Sequence, residues 1–314
     1  MNLQNKFNPI DKYCKHGRDV IAIKKTISIF VIILMSIIIF IVLLSVFQYY
    51  KSFYGLKGEI MLMEGEAPSF PVLIYDIKNN KKYEIRNIFY DVQYDANNGN
   101  NLIAVIDNEI YKINEYQRTG FANRQLLYTG ENVRYPKFVP DKNAISFTQK
   151  DKLTYYDLDT KKSIVIAKLL LPGYDWLDSD TVLFTEVDNS ESLNIMAYKI
   201  SNNKTYVFKK DAAYPSLSYN KKFLAYQRGN VRNVVYIEEI NGSHRKSVRV
   251  NSIGLLPYKP SSDGNYLIGA MYYAGHADVV IINVTNNKIR KIFPGIFPSV
   301  LDWIEYIEFS IKDR

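Results

Sequence analysis

Beyond residue 58, the side chains with the most chemical potential are two histidines, one acidic segment and a recurring tyrosine. His276 stands in Ala274-Gly275-His276-Ala277-Asp278, a loop between two predicted strands, where Asp278 could orient the imidazole as a general base or metal ligand. It has no HxH or HExxH companion, so an ordinary polar loop is the better reading. His244 falls at a hairpin tip beside Arg245 and Lys246 and reads as a solvated turn residue. Glu186, Asp188 and Glu191 offer the hard oxygen ligands calcium needs, but their spacing fits no EF-hand loop. No Gly-x-Ser-x-Gly elbow is present. No metal and no cofactor is expected.

The recurring aromatic is more informative. It appears as Tyr90-Asp91, Tyr135-Pro136, Tyr174-Asp175, Tyr214-Pro215, Tyr258-Lys259 and Phe297-Pro298, at spacings of 45, 39, 40, 44 and 39 residues. A period near 40–45 residues with several short strands per repeat is that of a β-propeller blade. Tyr90, Tyr135, Tyr174, Tyr214 and Tyr258 would then stand at equivalent blade entrances, either ringing the channel mouth as binding residues or packing between blades. Packing is the favoured role. Arg134, Asp175, Lys259 and Asp302, beside these positions, would set specificity at the channel rim together with His276.

The second unit shows the repeat most clearly. Tyr135–Val139 reads as an inner strand, Pro140-Asp141-Lys142-Asn143 as a turn, and Ala144–Thr148, Leu153–Asp157 and Ser163–Lys168 as the remaining strands. Asn-Asn-Lys recurs as a hairpin turn at Asn79, Asn202 and Asn286. Phe70–Lys78 and Lys82–Ile88 look like the outer half of a blade whose inner half, FPSVLDW and YIEFSI, comes from the C-terminus. That arithmetic gives six blades, with Glu59–Gly65 left over.

The pattern PxFxPDxxxIxF…LxYYDLxTxK over residues 136–162 resembles the TolB-like, WD40-like propeller repeat. The likeness is recognisable again at Pro260-Ser261-Ser262-Asp263-Gly264. It is degraded in unit three, which has Asp178-Ser179-Asp180, and in unit four, where Tyr219-Asn220-Lys221 replaces Pro-Asp-Gly. The resemblance implies antiparallel four-stranded blades around a channel, and partners that are usually proteins or peptides. It specifies fold rather than activity.

Ahead of the repeats, Thr26–Gln48 carries no charge, and a helix of that length at ~1.5 Å per residue crosses a ~30 Å hydrocarbon layer. Lys6, Lys12, Lys15, Arg18, Lys24 and Lys25 precede it against Asp11 and Asp19, which predicts a cytoplasmic N-terminus. The organisation expected is a flexible basic tail over 1–25, a transmembrane helix over 26–48, a linker over 49–58 and a propeller over 59–314. This makes a single-pass type II membrane protein whose C-terminal domain is extracytoplasmic.

Half of the net charge of +8 lies in the tail, which leaves the propeller too weakly basic to argue for nucleic acid. The single cysteine, Cys14, is on the cytoplasmic side, so no disulfide braces the propeller. The chain reads as an all-β, non-catalytic binding scaffold for an envelope protein, peptide or cell-envelope polymer. The alternative is a glycan- or peptide-processing enzyme with its active site in the central funnel.

Overall fold

The computed structural model describes residues 9–53, 59–63, 72–85, 91–94, 101–114, 123–169, 171, 173–188, 190–229, 231–274, 276–298 and 310–312. The chain divides into two compact units, Met1–Tyr54 and Gly55–Arg314.

The first unit holds one helix, α1 (Pro9–Lys51). The expected boundary between a flexible tail and the helix is therefore corrected, because residues 9–25 are helical and continuous with the apolar segment. Proline suits the first helical position, where its missing N–H leaves no bond unmade. Within α1, Phe30–Lys51 is long and apolar enough to cross a membrane. Large apolar side chains are exposed on every face from Phe30 to Phe47. The hydroxyls of Ser36 and Ser45 donate back to the Ile32 and Ile41 carbonyls, each at 2.9 Å.

The second unit is an all-β propeller. It shows five blades of four consecutive antiparallel strands, rather than the six expected. Blade 1 comprises β4 (Asp91–Tyr94), β5 (Leu102–Ile106), β6 (Glu109–Ile113) and β7 (Arg124–Thr129). Blade 2 comprises β8 (Val133–Phe138), β9 (Ala144–Gln149), β10 (Lys152–Asp157) and β11 (Ser163–Lys168), close to the strands read from the sequence. Blade 3 runs from β12 (Tyr174–Trp176) through β13 (Thr181–Val187) and β14 (Leu193–Lys199) to β15 (Lys204–Lys209). Blade 4 runs from β16 (Ala213–Leu217) through β17 (Phe223–Gln227) and β18 (Val234–Glu239) to β19 (Lys246–Arg249). Blade 5 runs from β20 (Gly254–Pro260) through β21 (Tyr266–Tyr273) and β22 (His276–Asn283) to β23 (Ile289–Pro298).

A further four-stranded sheet draws on both ends of the chain, in the order β24 (Ser310–Lys312), β1 (Glu59–Met63), β2 (Val72–Asp76), β3 (Lys81–Ile85). Its composition corrects two expectations. Glu59–Met63 is not left over but sits second in the sheet, so the chain start supplies three strands and the C-terminus one. Phe297-Pro298 does not open a new blade, since it extends β23 and pairs with Ala277 and His276 of β22.

The core lies between blades. One apolar cluster joins Val235, Ile237 and Val248 of blade 4 to Leu255, Leu267 and Val280 of blade 5. Equivalent clusters join blade 1 to 2, 2 to 3 and 3 to 4. Each blade buries its faces against its neighbours, so none is complete alone.

The β20–β21 turn shows how tight this packing is. Gly264 has φ +66°, and a Cβ there would stand 2.5 Å from Phe223 Cε1 of blade 4. Gly264→Ala should therefore lose about 2 kcal/mol of stability, from left-handed strain and overpacking together. Thermal melts of the two proteins measure this, and an unchanged midpoint would refute the packing.

Candidate channel site

The inner strands of blades 2 and 4 bulge at the expected dipeptides. Pairing with the second strand is interrupted between Arg134 and Lys137 in β8 and between Ala213 and Ser216 in β16, and it skips Leu256-Pro257 in β20. Each interruption contains a proline, which has no N–H to give a ladder and is confined to such sites.

These bulges fix which residues are equivalent. Val139, Leu177, Ser218 and Ser261 each donate a backbone N–H that closes the turn onto the second strand. Counting back two residues gives Lys137, Asp175, Ser216 and Lys259. All four occupy one register, opposite Ser146, Leu183, Ala225 and Ile268.

The tyrosines, by contrast, are not all equivalent. Tyr135 and Tyr214 share the bulge position and have φ of 52° and 56°, while Tyr174 and Tyr258 sit one place further along their strands. This offset lets them interlock. The Tyr174 hydroxyl donates to the Tyr135 carbonyl at 2.6 Å, and the Tyr258 hydroxyl donates to the Tyr214 carbonyl at 2.9 Å. In the other direction the Tyr135 N–H donates to Asp91 at 3.0 Å, and the Tyr214 N–H to Thr185 Oγ1 at 2.8 Å. Tyr174 and Tyr258 are buried, and burial raises the Tyr258 phenol's pKa well above its ordinary value. The Tyr174 and Tyr258 phenols thus pack between blades and stitch them together. Tyr90 and Asp302 lie outside the described residues.

The shared register instead gathers charge. Asp175 is 4% exposed. Its Oδ2 lies 3.2 Å from Lys259 Nζ and accepts the Leu217 N–H at 3.0 Å, while its Oδ1 lies 3.1 Å from Lys221 Nζ. Lys137 Nζ stands 5.1 Å from the centre of the Tyr174 ring, and its charge is felt at both Asp175 and Lys221. Asp175 belongs to blade 3 and Lys259 to blade 5, both on inner strands; the residue of blade 4 at the same register is the small Ser216.

Burial alone would raise the Asp175 carboxyl, but Lys221, Lys259, Lys137 and the Leu217 N–H more than offset it and hold it well below the usual range. Burial lowers the Lys221 ammonium to about 8, with Lys259 and Lys137 adding repulsion and Asp175 opposing.

Sequence reasoning singled out Asp175 and Lys259 but not Lys137 and Lys221. The signal was present. Lys221 fills the third place of the degraded Pro-Asp-Gly turn, and its φ is 60° where the equivalent Gly264 has 66°. Arg134 lies in β8 just before the bulge, half-buried, with its carbonyl accepting from Thr148 Oγ1 at 3.3 Å.

The remaining candidates stand apart. His276 is not in a loop; it is the exposed first residue of β22, stacked on Tyr273 with ring centres 4.7 Å apart. Asp278 is buried and paired with Lys291 at 2.7 Å rather than orienting His276. His244 is exposed at the hairpin tip, 2.9 Å from Glu239. Asp188 accepts from Ser190 Oγ, the Ser190 and Ser192 N–H groups and Asn194, so it organises its own loop, and these bonds lower its pKa to about 2. Among the described residues, no three His, Cys, Asp or Glu side chains are grouped as a metal site would require.

No family model matches the sequence, and no curated protein does. Solved structures do. TolB from Acinetobacter baumannii superposes with a TM-score of 0.60 at 17% identity, over 81% of this chain and 66% of that one. The fold is a TolB-like β-propeller. A putative TolB from Agrobacterium tumefaciens gives 0.57 at 11% identity, over 76% of this chain and 88% of that one. A nidogen/laminin complex gives 0.55 at 11% identity, over 80% and 98%. The chain thus spans just under two thirds of the first of these proteins.

Removing the central carboxylate would leave the Lys221 and Lys259 ammoniums without the acceptor they share. Asp175→Asn should cost about 2–3 kcal/mol at pH 7, less than for a fully buried pair because both lysines partly reach solvent. The folded pKa of Asp175 lies below its unfolded value of 3.8, so its contribution is present above pH 3.8 and is lost as the pH falls below it. Denaturant titrations of both proteins should show the gap narrowing by about 1 kcal/mol between pH 6 and pH 3. A gap that widens on acidification would contradict this assignment.

Proposed function

We propose that this protein is a membrane-anchored, extracytoplasmic propeller that binds a protein or peptide in its central channel and performs no chemistry on it. The observation that carries this reading is the single register of Lys137, Asp175, Ser216 and Lys259, which turns four blades' inner strands towards one shared, charged site. A rigid ring that presents such a site is a receptor by construction. The two histidines of the described propeller, His244 and His276, are exposed and engage Glu239 and Tyr273 instead of this register. One of the similar solved structures is itself a complex between proteins, nidogen with laminin.

In this reading the composite sheet closes the ring as a sixth blade. Three observations support it. β24 and β1 pass close to β4 of blade 1. On the other side, Arg290 of blade 5 donates to the Tyr75 hydroxyl at 2.7 Å and to Asn80 Oδ1 at 3.0 Å. Finally, the Tyr75 hydroxyl donates to Asn80 in the β2–β3 turn as Tyr198 donates to Asn203 in the β14–β15 turn. β2 and β3 therefore carry the signature of third and outer blade strands. Closure leaves no blade face uncovered and hides strand edges.

Helix α1 anchors the ring in this reading, with its N-terminus in the cytoplasm. Its apolar side chains face outward on all sides, and its two mid-span hydroxyls are satisfied within the helix, as hydrocarbon demands. The cations before residue 26 set the direction.

Two measurements test these claims. The protein should remain in the membrane pellet after alkaline extraction, and protease added to intact cells stripped of their outer layers should remove a C-terminal tag but not an N-terminal one. Reversed accessibility would refute the topology. A photoreactive residue at Ser216 should capture one discrete protein in living cells, and one at Val165, on the exposed outer strand of blade 2, should not. Capture from Val165 alone would move binding off the channel.

A further inference from the structure

The propeller's positive charge is concentrated in one sector. Between Lys204 and Arg249 ten lysines and arginines stand against three acids, whereas in the rest of the chain beyond residue 25 the acids outnumber the cations, 27 to 24. That stretch is β15 and blade 4, and all of it except Asn230 is described. Its three acids are each engaged. Glu238 is buried and holds Lys209 at 2.5 Å and Arg245 at 2.8 Å, Asp211 holds Arg228 at 3.4 Å, and Glu239 holds His244 at 2.9 Å. Among the described residues, Lys204, Lys210, Lys246 and Arg249 are exposed and meet no carboxylate.

The centre of this sector is built across two blades. Lys209, on β15 of blade 3, and Arg245, just before β19 of blade 4, converge on the same carboxylate. Burial would raise the Glu238 carboxyl, but the bonds from Lys209, Arg245 and the Tyr226 hydroxyl hold it below its ordinary value. Tyr226 and Tyr236 stack with ring centres 5.6 Å apart, Lys209 Nζ lies 5.0 Å from the Tyr226 ring, and the Arg228 guanidinium lies 5.9 Å from the Tyr236 ring. Lysines that only guard a strand edge against pairing need no such fixing. Arg245 gives Nε alone to Glu238, and its side chain is 47% exposed, so its two terminal nitrogens are available to a ligand.

We propose that the outer junction of blades 3 and 4 binds a phosphodiester-linked chain, with Arg228, Arg245 and Lys209 at its centre and Lys204, Lys210 and Arg249 along it. This site is separate from the channel and does not depend on the channel reading. A carboxylate has two coplanar oxygens that one guanidinium satisfies, whereas two guanidiniums and an ammonium from different strands suit the several oxygens of a phosphate. Charge repeated along two strands suits a chain with one charge per unit. The units are not nucleotides, because the Tyr226 and Tyr236 rings are covered by each other and by Lys209 and Arg228, which leaves no aromatic face in the cluster for a base to stack on.

The test uses full-length protein in detergent micelles and a fluorescein-labelled oligomer of glycerol phosphate, followed by anisotropy. Arg228→Gln and Arg249→Gln should each weaken binding by about tenfold, the loss of one charge-assisted hydrogen bond. Arg228→Lys should recover little of that loss, since lysine restores the charge but not the planar fork. Lys162→Gln, an exposed lysine of blade 2, should bind as the wild type does. Raising the salt from ~50 to ~200 mM should weaken wild-type binding roughly fiftyfold, as about four neutralised phosphates on a flexible chain would. Arg249 is exposed and meets no carboxylate, so a loss in Arg249→Gln with an unchanged thermal melt is one of binding. No binding of the oligomer, equal affinities for wild type and both arginine variants, or an equal loss in Lys162→Gln would overturn the proposal. Tighter binding of pentaglutamate or oligothymidylate, or binding of anionic lipid vesicles but not of the oligomer, would overturn it in favour of those partners. Capture from Ser216 reports on the channel alone, so the two proposals fail separately.

Discussion

An inner strand that bulges cannot satisfy its own backbone, and most of this propeller's geometry follows from that constraint. At Tyr135 and Tyr214 the chain leaves its ladder, and the polar groups released there must find partners before they can be buried. The neighbouring blades supply them. Asp91 and Thr185 accept the two N–H groups from one side, and the phenols of Tyr174 and Tyr258 donate to the two carbonyls from the other. Blades 2 and 4 thus need blades 1, 3 and 5 for hydrogen bonding as well as for apolar burial. In the absence of disulfides beyond residue 58, this reciprocal stitching joins blades 1 to 5 alongside the apolar clusters between them.

The stitching also sets what the channel contains. The inner strands of blades 2 to 5 share one register, so the residue two places before each closing turn is displayed at the same level. That position differs in side chain from blade to blade. It holds lysine, aspartate, serine and lysine in blades 2 to 5. The small Ser216 lies between Asp175 and Lys259 in blade order, and those two side chains meet at 3.2 Å past it. A bulky residue there would obstruct the contact. The fold therefore stabilises the level, and the variable residues give it a charge.

The strands of blade 2 and β21 were legible because alternation and turn chemistry agree there, and the three Asn-Asn-Lys turns all connect third to outer strands. The helix end was misread because charged residues give no apolar period, although their propensities suit a helix. The aromatic repeat was read as one position when it is two. Tyr174 and Tyr258 lie one residue from the place of Tyr135 and Tyr214, a difference set by bulges that a spacing of 39 or 40 residues does not reveal. The same bulges hid Lys137, which precedes Phe138 unremarkably in the chain. Phe297-Pro298 imitated a blade entrance but continues β23, because its backbone has an open partner in the start of β22. Three-to-one sharing of the composite sheet was missed because Glu59–Met63 is only five residues long.

Asp175 carries the same dependence into electrostatics. Its Oδ1 meets Lys221 of blade 4, its Oδ2 meets Lys259 of blade 5, and the Leu217 N–H of blade 4 donates to Oδ2 as well. Burial alone would favour the protonated acid, so the carboxylate is ionised because two other blades supply its partners. A blade 3 detached from blades 4 and 5 would hold that charge unpaired, which is the costly state for a buried ion. The pair therefore works in the same direction as the tyrosine bonds, making the inner strands of three blades interdependent.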